Sequence, residues 1–125
     1  MIQKFVARFE QSITSNPIVL SSEIKKYFSP QDDAVYLRGA IVFTDASSLD
    51  LSLFIQKTGR VLSVDKYRFH YMDSQSRMIF RYDNAPHHPD LASFPHHKHI
   101  SNRTIPASFK ELSDILEEIS AIILQ

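Results

Sequence analysis

The sequence predicts an α+β fold: a four- to five-stranded antiparallel meander sheet with an N-terminal and a C-terminal helix packed on one face. Three observations carry this. Apolar residues recur at spacings of three and four at both ends of the chain, and at spacings of two through the middle. Short polar turns separate the middle runs. A chain of 125 residues with 43% hydrophobic residues, nine Phe and five Tyr is long enough for one domain with an ordinary core.

Ile2, Phe5, Val6, Phe9 and Ile13 mark one face of a first helix, which Thr14-Ser15-Asn16-Pro17 stops because the residue before a proline avoids helical geometry. Ile18 to Phe28 reads as a strand, although Ser21-Ser22-Glu23 would also suit the start of a short helix. Ser29-Pro30-Gln31-Asp32-Asp33 is a loop. Val35, Leu37, Ile41 and Phe43 alternate with Tyr36, Arg38, Ala40 and Val42, the period of a half-buried strand. After the turn at Thr44 to Ser48, Leu49, Leu51, Leu53 and Ile55 form the apolar side of the next strand. Lys57-Thr58-Gly59-Arg60 turns the chain into Val61 to Met72, with Tyr67, Phe69 and Tyr71 on one side and Lys66, Arg68 and His70 on the other. Asp73-Ser74-Gln75-Ser76 has hairpin length, and Met78, Phe80 and Tyr82 continue the aromatic side opposite Arg81 and Asp83. Residues 84–104 read as a proline-punctuated, histidine-rich loop. Ser108 with Glu111 forms a capping box, and Phe109, Leu112, Ile115, Leu116, Ile119, Ile122 and Ile123 a final apolar stripe.

Composition narrows the chemistry. No cysteine is present, which excludes a disulfide scaffold, a thiol nucleophile and thiolate metal centres, and suits a cytoplasmic location. No apolar run approaches the ~20 residues of a membrane span, and Met1-Ile2-Gln3-Lys4 does not open a signal peptide. With two glycines, neither a P-loop nor a dinucleotide fingerprint fits, and no GxSxG is found. The 14 basic and 14 acidic residues cancel, but not locally: residues 61–104 carry six Lys/Arg against four Asp/Glu and every histidine, whereas residues 105–125 carry one against four. A neutral total is therefore compatible with a basic centre.

Alternation places Arg38, Lys66, Arg68, His70, Arg81 and Asp83 on the sheet face away from the helices. A row of this kind suits phosphate backbones, and it also suits plain solvated cross-strand pairs. Five of the six histidines fall between His87 and His99. His97 and His99 project from one side of an extended segment, as two ligands of one metal would, with His87 or His88 and Asp83 or Asp90 completing a site for a divalent ion; His96 is a further ligand candidate. The same imidazoles serve equally as acid and base for metal-free RNA cleavage, because an unperturbed histidine titrates near 6.5. A surface loop whose histidines only bind backbone carbonyls is the plainest alternative. Tyr71 and Tyr82 read as packing residues rather than base-stacking platforms.

The stretches Tyr67-Arg68-Phe69-His70-Tyr71, Phe80-Arg81-Tyr82-Asp83-Asn84-Ala85-Pro86-His87-His88-Pro89 and Phe94-Pro95-His96-His97-Lys98-His99 resemble the TumE-like toxins of prokaryotic toxin–antitoxin modules. Pro17 to Glu23 and Tyr36-Leu37-Arg38-Gly39 are similar to the same family. One departure is Gln75-Ser76, where a glycine would sit more comfortably. The resemblance implies a growth-inhibiting toxin neutralised by a small antitoxin, often a helix-turn-helix protein. Many toxins of such modules cleave RNA. The leading expectation is an RNA-directed endoribonuclease that needs no cofactor, with His70, His97, His99 and Asp83 at the chemistry and Arg38, Lys66, Arg68, Arg81 and Lys98 on the RNA. A divalent metal held by His87, His88 and His96 belongs to the second reading, a metal-binding enzyme, and a non-catalytic nucleic-acid or partner-binding protein is the third. No membrane partner is expected, and a homo-oligomer is compatible with the sequence.

Overall fold

In the computed structural model, which describes residues 1–86, 91 and 93–125, two helices flank one continuous sheet. Helix α1 spans Ile2–Thr14; strands β1 to β7 span Val19–Phe28, Ala34–Phe43, Ser48–Thr58, Val61–Met72, Met78–Asp83, His97–Ile100 and Arg103–Pro106; helix α2 spans Leu112–Ile123. The strands pair in sequence order, every neighbour antiparallel. The sheet has seven strands rather than four or five. The two additional strands are β6, which lies inside the stretch 84–104 read as an irregular loop, and β7, which begins there and runs past its end. At four residues each they are too short to show a period, and β6 is held by its pairing with β5. In the turn between β6 and β7, Ser101 adopts a positive φ of 52°.

One sheet face and the two helices enclose the core. Ile2, Val6, Phe9 and Ile13 of α1 and Leu112, Ile115, Leu116 and Ile119 of α2 pack with the alternating apolar residues of β2 to β5. The run at Ile18 to Phe28 is a strand, β1, and its outer half is exposed on both sides. The start of α2 also differs from expectation. Glu111, not Ser108, is the N-cap, and its capping box is closed by Asp114, whose carboxylate accepts the Glu111 N–H at 3.0 Å. Phe109 consequently precedes the helix and packs edge-on against Tyr67, with ring centroids 5.1 Å apart.

Two local devices shape the face opposite the helices. Asp65 forms a bulge where β4 pairs with β3, and Asn84 pins it: its amide donates to the Asp65 carbonyl while its side-chain oxygen accepts the Tyr67 N–H, each at 3.0 Å. At Gly39 the β1 backbone passes so close that a Cβ would stand 2.0 Å from the Glu23 carbonyl oxygen. Gly39→Ala is therefore expected to prise β1 from β2 and lower stability by at least about 2 kcal/mol, read from a urea unfolding curve.

Candidate active site

Between its bulges, the antiparallel register turns the open face into ordered cross-strand rows. One runs Lys25, Arg38, Ser52, Arg68, Asp83, His97 from β1 to β6. Four residues of this row carry charge outright, three of them basic. The neighbouring row runs Glu23, Ala40, Asp50, His70, Arg81, His99, Thr104 from β1 to β7. Since side chains alternate across a strand, residues two apart share a face and both rows point away from the helices. Arg38, Lys66, Arg68, His70, Arg81 and Asp83 are thus brought to one surface, as the alternation predicts, and strand β6, read from the sequence as loop, adds His97 and His99 to it.

Asp83 is the centre of the site. Its side chain is 8% exposed and its carboxylate meets four groups. Oδ2 accepts from Arg81 Nε at 3.1 Å and stands 3.5 Å from His99 Nε2. Oδ1 accepts the Ala85 N–H at 3.1 Å and stands 2.7 Å from Nε2 of His97. A buried carboxylate is retained at tolerable cost only when surrounded in this way.

His97 is 2% exposed. Its Nδ1 lies 2.9 Å from the Pro95 carbonyl, which can only accept, so Nδ1 carries a proton and Nε2 is the atom presented to Asp83. This histidine therefore orients the carboxylate and anchors β6. His99 is less enclosed: its Nδ1 lies 3.2 Å from Thr104 Oγ1, and its ring meets that of His97 nearly edge-on with centroids 4.7 Å apart.

His70 sits between the two cationic arms of its neighbours. Burial, then the Arg68 and Arg81 guanidinium charges, hold its pKa below the ordinary 6.5 against the opposing pull of Asp50. Its buried Nδ1 has no hydrogen-bond partner among the described residues. A ring in this setting is neutral at cellular pH and able to accept a proton.

Two predicted site residues lie elsewhere. Lys98 alternates to the helix side, where its ammonium bonds Glu118 of α2 at 2.8 Å and stands over the rings of Tyr82 and Phe80 at 4.8 and 5.2 Å. Burial alone would lower its pKa, but the bonds to Glu118 and Tyr82 outweigh that and raise it. Its role is to tie β6 to α2. His96 stacks on Tyr67 at 5.7 Å and binds the Tyr67 hydroxyl through Nδ1 at 2.8 Å. Burial and the Asp83 charge push that phenol up to about 12, so it remains a hydroxyl. His87, His88 and Asp90 lie outside the described residues.

Asp83, His97 and His99 form a group whose ligand atoms all lie within 4.8 Å of one another, a donor set of the type that divalent transition metals accept. The fit is poor in charge. The Arg81 guanidinium and the Ala85 N–H already occupy both carboxylate oxygens, and a dication would share Oδ2 with a fixed positive charge.

Sequence reasoning missed one group of exposed side chains. Tyr27, Tyr36 and Phe54 are paired in register across β1, β2 and β3 on the open face, and Lys66 continues their row on β4. The odd/even alternation that assigned the basic residues places these aromatics on the same surface. Two adjoining hollows occupy it. One of about 690 Å³ is lined by Tyr36, Phe54, Lys66, Arg68, Arg81 and Asp83 among others. The second, about 560 Å³, is lined by Lys25, Arg38, Asp50 and again Tyr36 and Arg68.

The family model for Toxin TumE matches residues 8–124. The chain belongs to the TumE toxin family. It is accordingly the toxin of a toxin–antitoxin system, with a cognate antitoxin as partner. No curated protein and no solved structure matches it. The matched span takes in every residue of the candidate site described above, from Glu23 to Thr104. Among the described residues no helix is long and apolar enough to cross a membrane.

Removing the central carboxylate should be costly, because it leaves the Arg81 guanidinium without its counter-charge beside a buried space. Asp83→Ala is expected to lose about 3 kcal/mol of unfolding free energy in urea titration, and Asp83→Asn less, since the amide still accepts one hydrogen bond.

Proposed function

We propose that this toxin is a metal-independent endoribonuclease whose acid–base pair is His70 and His99. The observation that carries the reading is the row His70, Arg81, His99, one residue on each of three successive strands. Strand spacing puts the outer two Cα atoms about 10 Å apart with Arg81 on the strand between them. In-line transfer at phosphorus needs such an order: a base on one side, an acid on the other, and a cation for the non-bridging oxygens.

His70, kept neutral by burial and its arginine neighbours, takes the proton of a ribose 2′-hydroxyl. The 2′-oxygen forms a bond to phosphorus as the bond from phosphorus to the 5′-oxygen breaks. His99 gives a proton to the departing 5′-oxygen, with Asp83 as the counter-charge of its imidazolium. The products are a 2′,3′-cyclic phosphate and a free 5′-hydroxyl. Arg68 and Arg81 hold the phosphate, and Arg38 and Lys66 extend the cationic track along the strand. His97 and Asp83 act as positioning residues, which departs from the expectation that both are catalytic.

His70→Ala and His99→Ala are each expected to reduce RNA cleavage by at least about 100-fold, and to abolish growth arrest on expression in a bacterial host. Full activity of both variants would end the proposal. Cleavage should persist after treatment with EDTA, and metal analysis of untagged protein should return less than one equivalent; activity lost to chelator and restored by a divalent ion would replace this reading with the metal one.

The pH dependence follows from the sign of the His70 shift. A base must be deprotonated, so kcat/KM rises with pH through the His70 pKa, and that limb should fall below 6.5. Arg68 depresses this pKa, so Arg68→Gln should move the limb upward as well as weakening binding.

A further inference from the structure

We propose that Tyr27, Tyr36 and Phe54 form a stacking platform for unpaired bases, so that the substrate is single-stranded RNA. The proposal rests on the ribonuclease reading above and specifies which form of RNA the open face accepts.

Three aromatic rings stand in one row on a surface that alternation otherwise fills with polar residues. Tyr27, Tyr36 and Phe54 are 52%, 40% and 36% exposed, whereas Tyr67, Phe69, Tyr71, Phe80 and Tyr82 are buried on the other face. Each meets the next in register, Tyr27 opposite Tyr36 and Tyr36 opposite Phe54. The two tyrosine rings stack at 6.1 Å with 28° between their planes. Nothing in the core needs them: the helices pack on the other side of the sheet. Leaving apolar rings in water forgoes their burial, and a binding partner with flat faces recovers it.

The surrounding charge identifies that partner. Lys25, Arg38 and Arg68 occupy the adjoining row, one side-chain repeat of about 7 Å along the strands. Lys66 closes the aromatic row itself. Rings flanked by a line of cations match a strand whose bases stack inward while its phosphates run alongside. A duplex presents paired bases that cannot lie on such a platform, whereas an unpaired strand can splay its bases onto it. His70 lies four residues along β4 from Lys66, two rows away and about 14 Å by strand rise, with Arg81 beside it on β5, so one short oligonucleotide reaches both platform and chemistry. An antitoxin segment is the competing occupant; the cation line favours a polyanion, and the test separates the two.

The measurement is fluorescence anisotropy of a labelled, unstructured RNA 12-mer and of the corresponding 12-base-pair RNA duplex, in a His99→Ala background that leaves the probe intact. The single strand should bind more tightly than the duplex. Tyr36→Ala and Phe54→Ala should each weaken single-strand binding roughly 5- to 150-fold, the range for one stacked base, and leave duplex binding and the salt slope unchanged. Tyr36→Phe should bind as the parent does, and matching far-ultraviolet circular dichroism and melting curves check that each variant folds. Equal affinity for both RNAs with no effect of the aromatic variants would overturn the platform while leaving the ribonuclease reading intact. Aromatic substitutions that abolish antitoxin binding and spare RNA binding would assign the row to the antitoxin and overturn the proposal. Failure of the parent protein to bind either RNA would overturn the ribonuclease reading together with the platform.

Discussion

A single antiparallel register, carried without a crossover from Lys25 on β1 to His97 on β6, is the constraint on which the site depends. Outside the bulges, side chains alternate along each strand, so a slip of one residue in any pair would exchange the faces of everything beyond it. Arg68 and His70 would then point under the helices, and Tyr67 and Phe69 into solvent. The buried faces prevent this. Val35 to Phe43 on β2, Leu49 to Ile55 on β3 and Tyr67 to Tyr71 on β4 each bury alternate residues against α1 and α2, which locks the polar residues outward. The hydrophobic core is in this sense what aligns the polar rows.

The register brings charges together, and Asp83 organises them. A carboxylate 8% exposed would be unfavourable alone, yet it receives Arg81, the Ala85 N–H and two imidazoles. Those partners come from β5, from the residues just after it and from β6, so the group that neutralises the charge also attaches the short outer strands to the sheet. On the opposite side Lys98 performs the matching task by bonding Glu118. Adjacent residues of β6 are therefore divided between the two faces, His97 and His99 toward the open surface and Lys98 toward α2. Stability and site geometry share the same four-residue strand.

The zero net charge acquires a spatial meaning. The acidic residues of α2 lie on the covering layer, one of them pairing with Lys98, while Lys25, Arg38, Lys66, Arg68 and Arg81 collect on the exposed sheet. Glu23, Asp50 and Asp83 share that surface, but Asp83 is buried and already paired with Arg81. The surface left to a ligand is cationic with aromatic rings at one margin, which is the physical basis for favouring an anionic, base-bearing polymer.

Periodicity alone determined the helices at the two ends, strands β2 to β5, the split between buried Tyr67, Phe69, Tyr71, Phe80 and Tyr82 and outward Arg38, Lys66, Arg68, His70 and Arg81, and the shared side of His97 and His99. Each follows from local alternation, which needs no knowledge of neighbouring strands. The family was equally legible, in the segments from Tyr67 to Tyr71 and from Phe80 to His99. Tertiary structure decided the rest. Strands β6 and β7 are too short to carry a period, and β6 takes its form from pairing with β5. Lys98 and His97 differ by one position in the chain, yet only the pairing of Lys98 with Tyr82 and of His97 with Asp83 shows that one serves the helix and the other the carboxylate. The alignment of Tyr27, Tyr36 and Phe54 into one row likewise arises from three separate strands. Sequence spacing encodes which side of a strand a residue occupies; which residue stands opposite it is set by the packing that chooses the register.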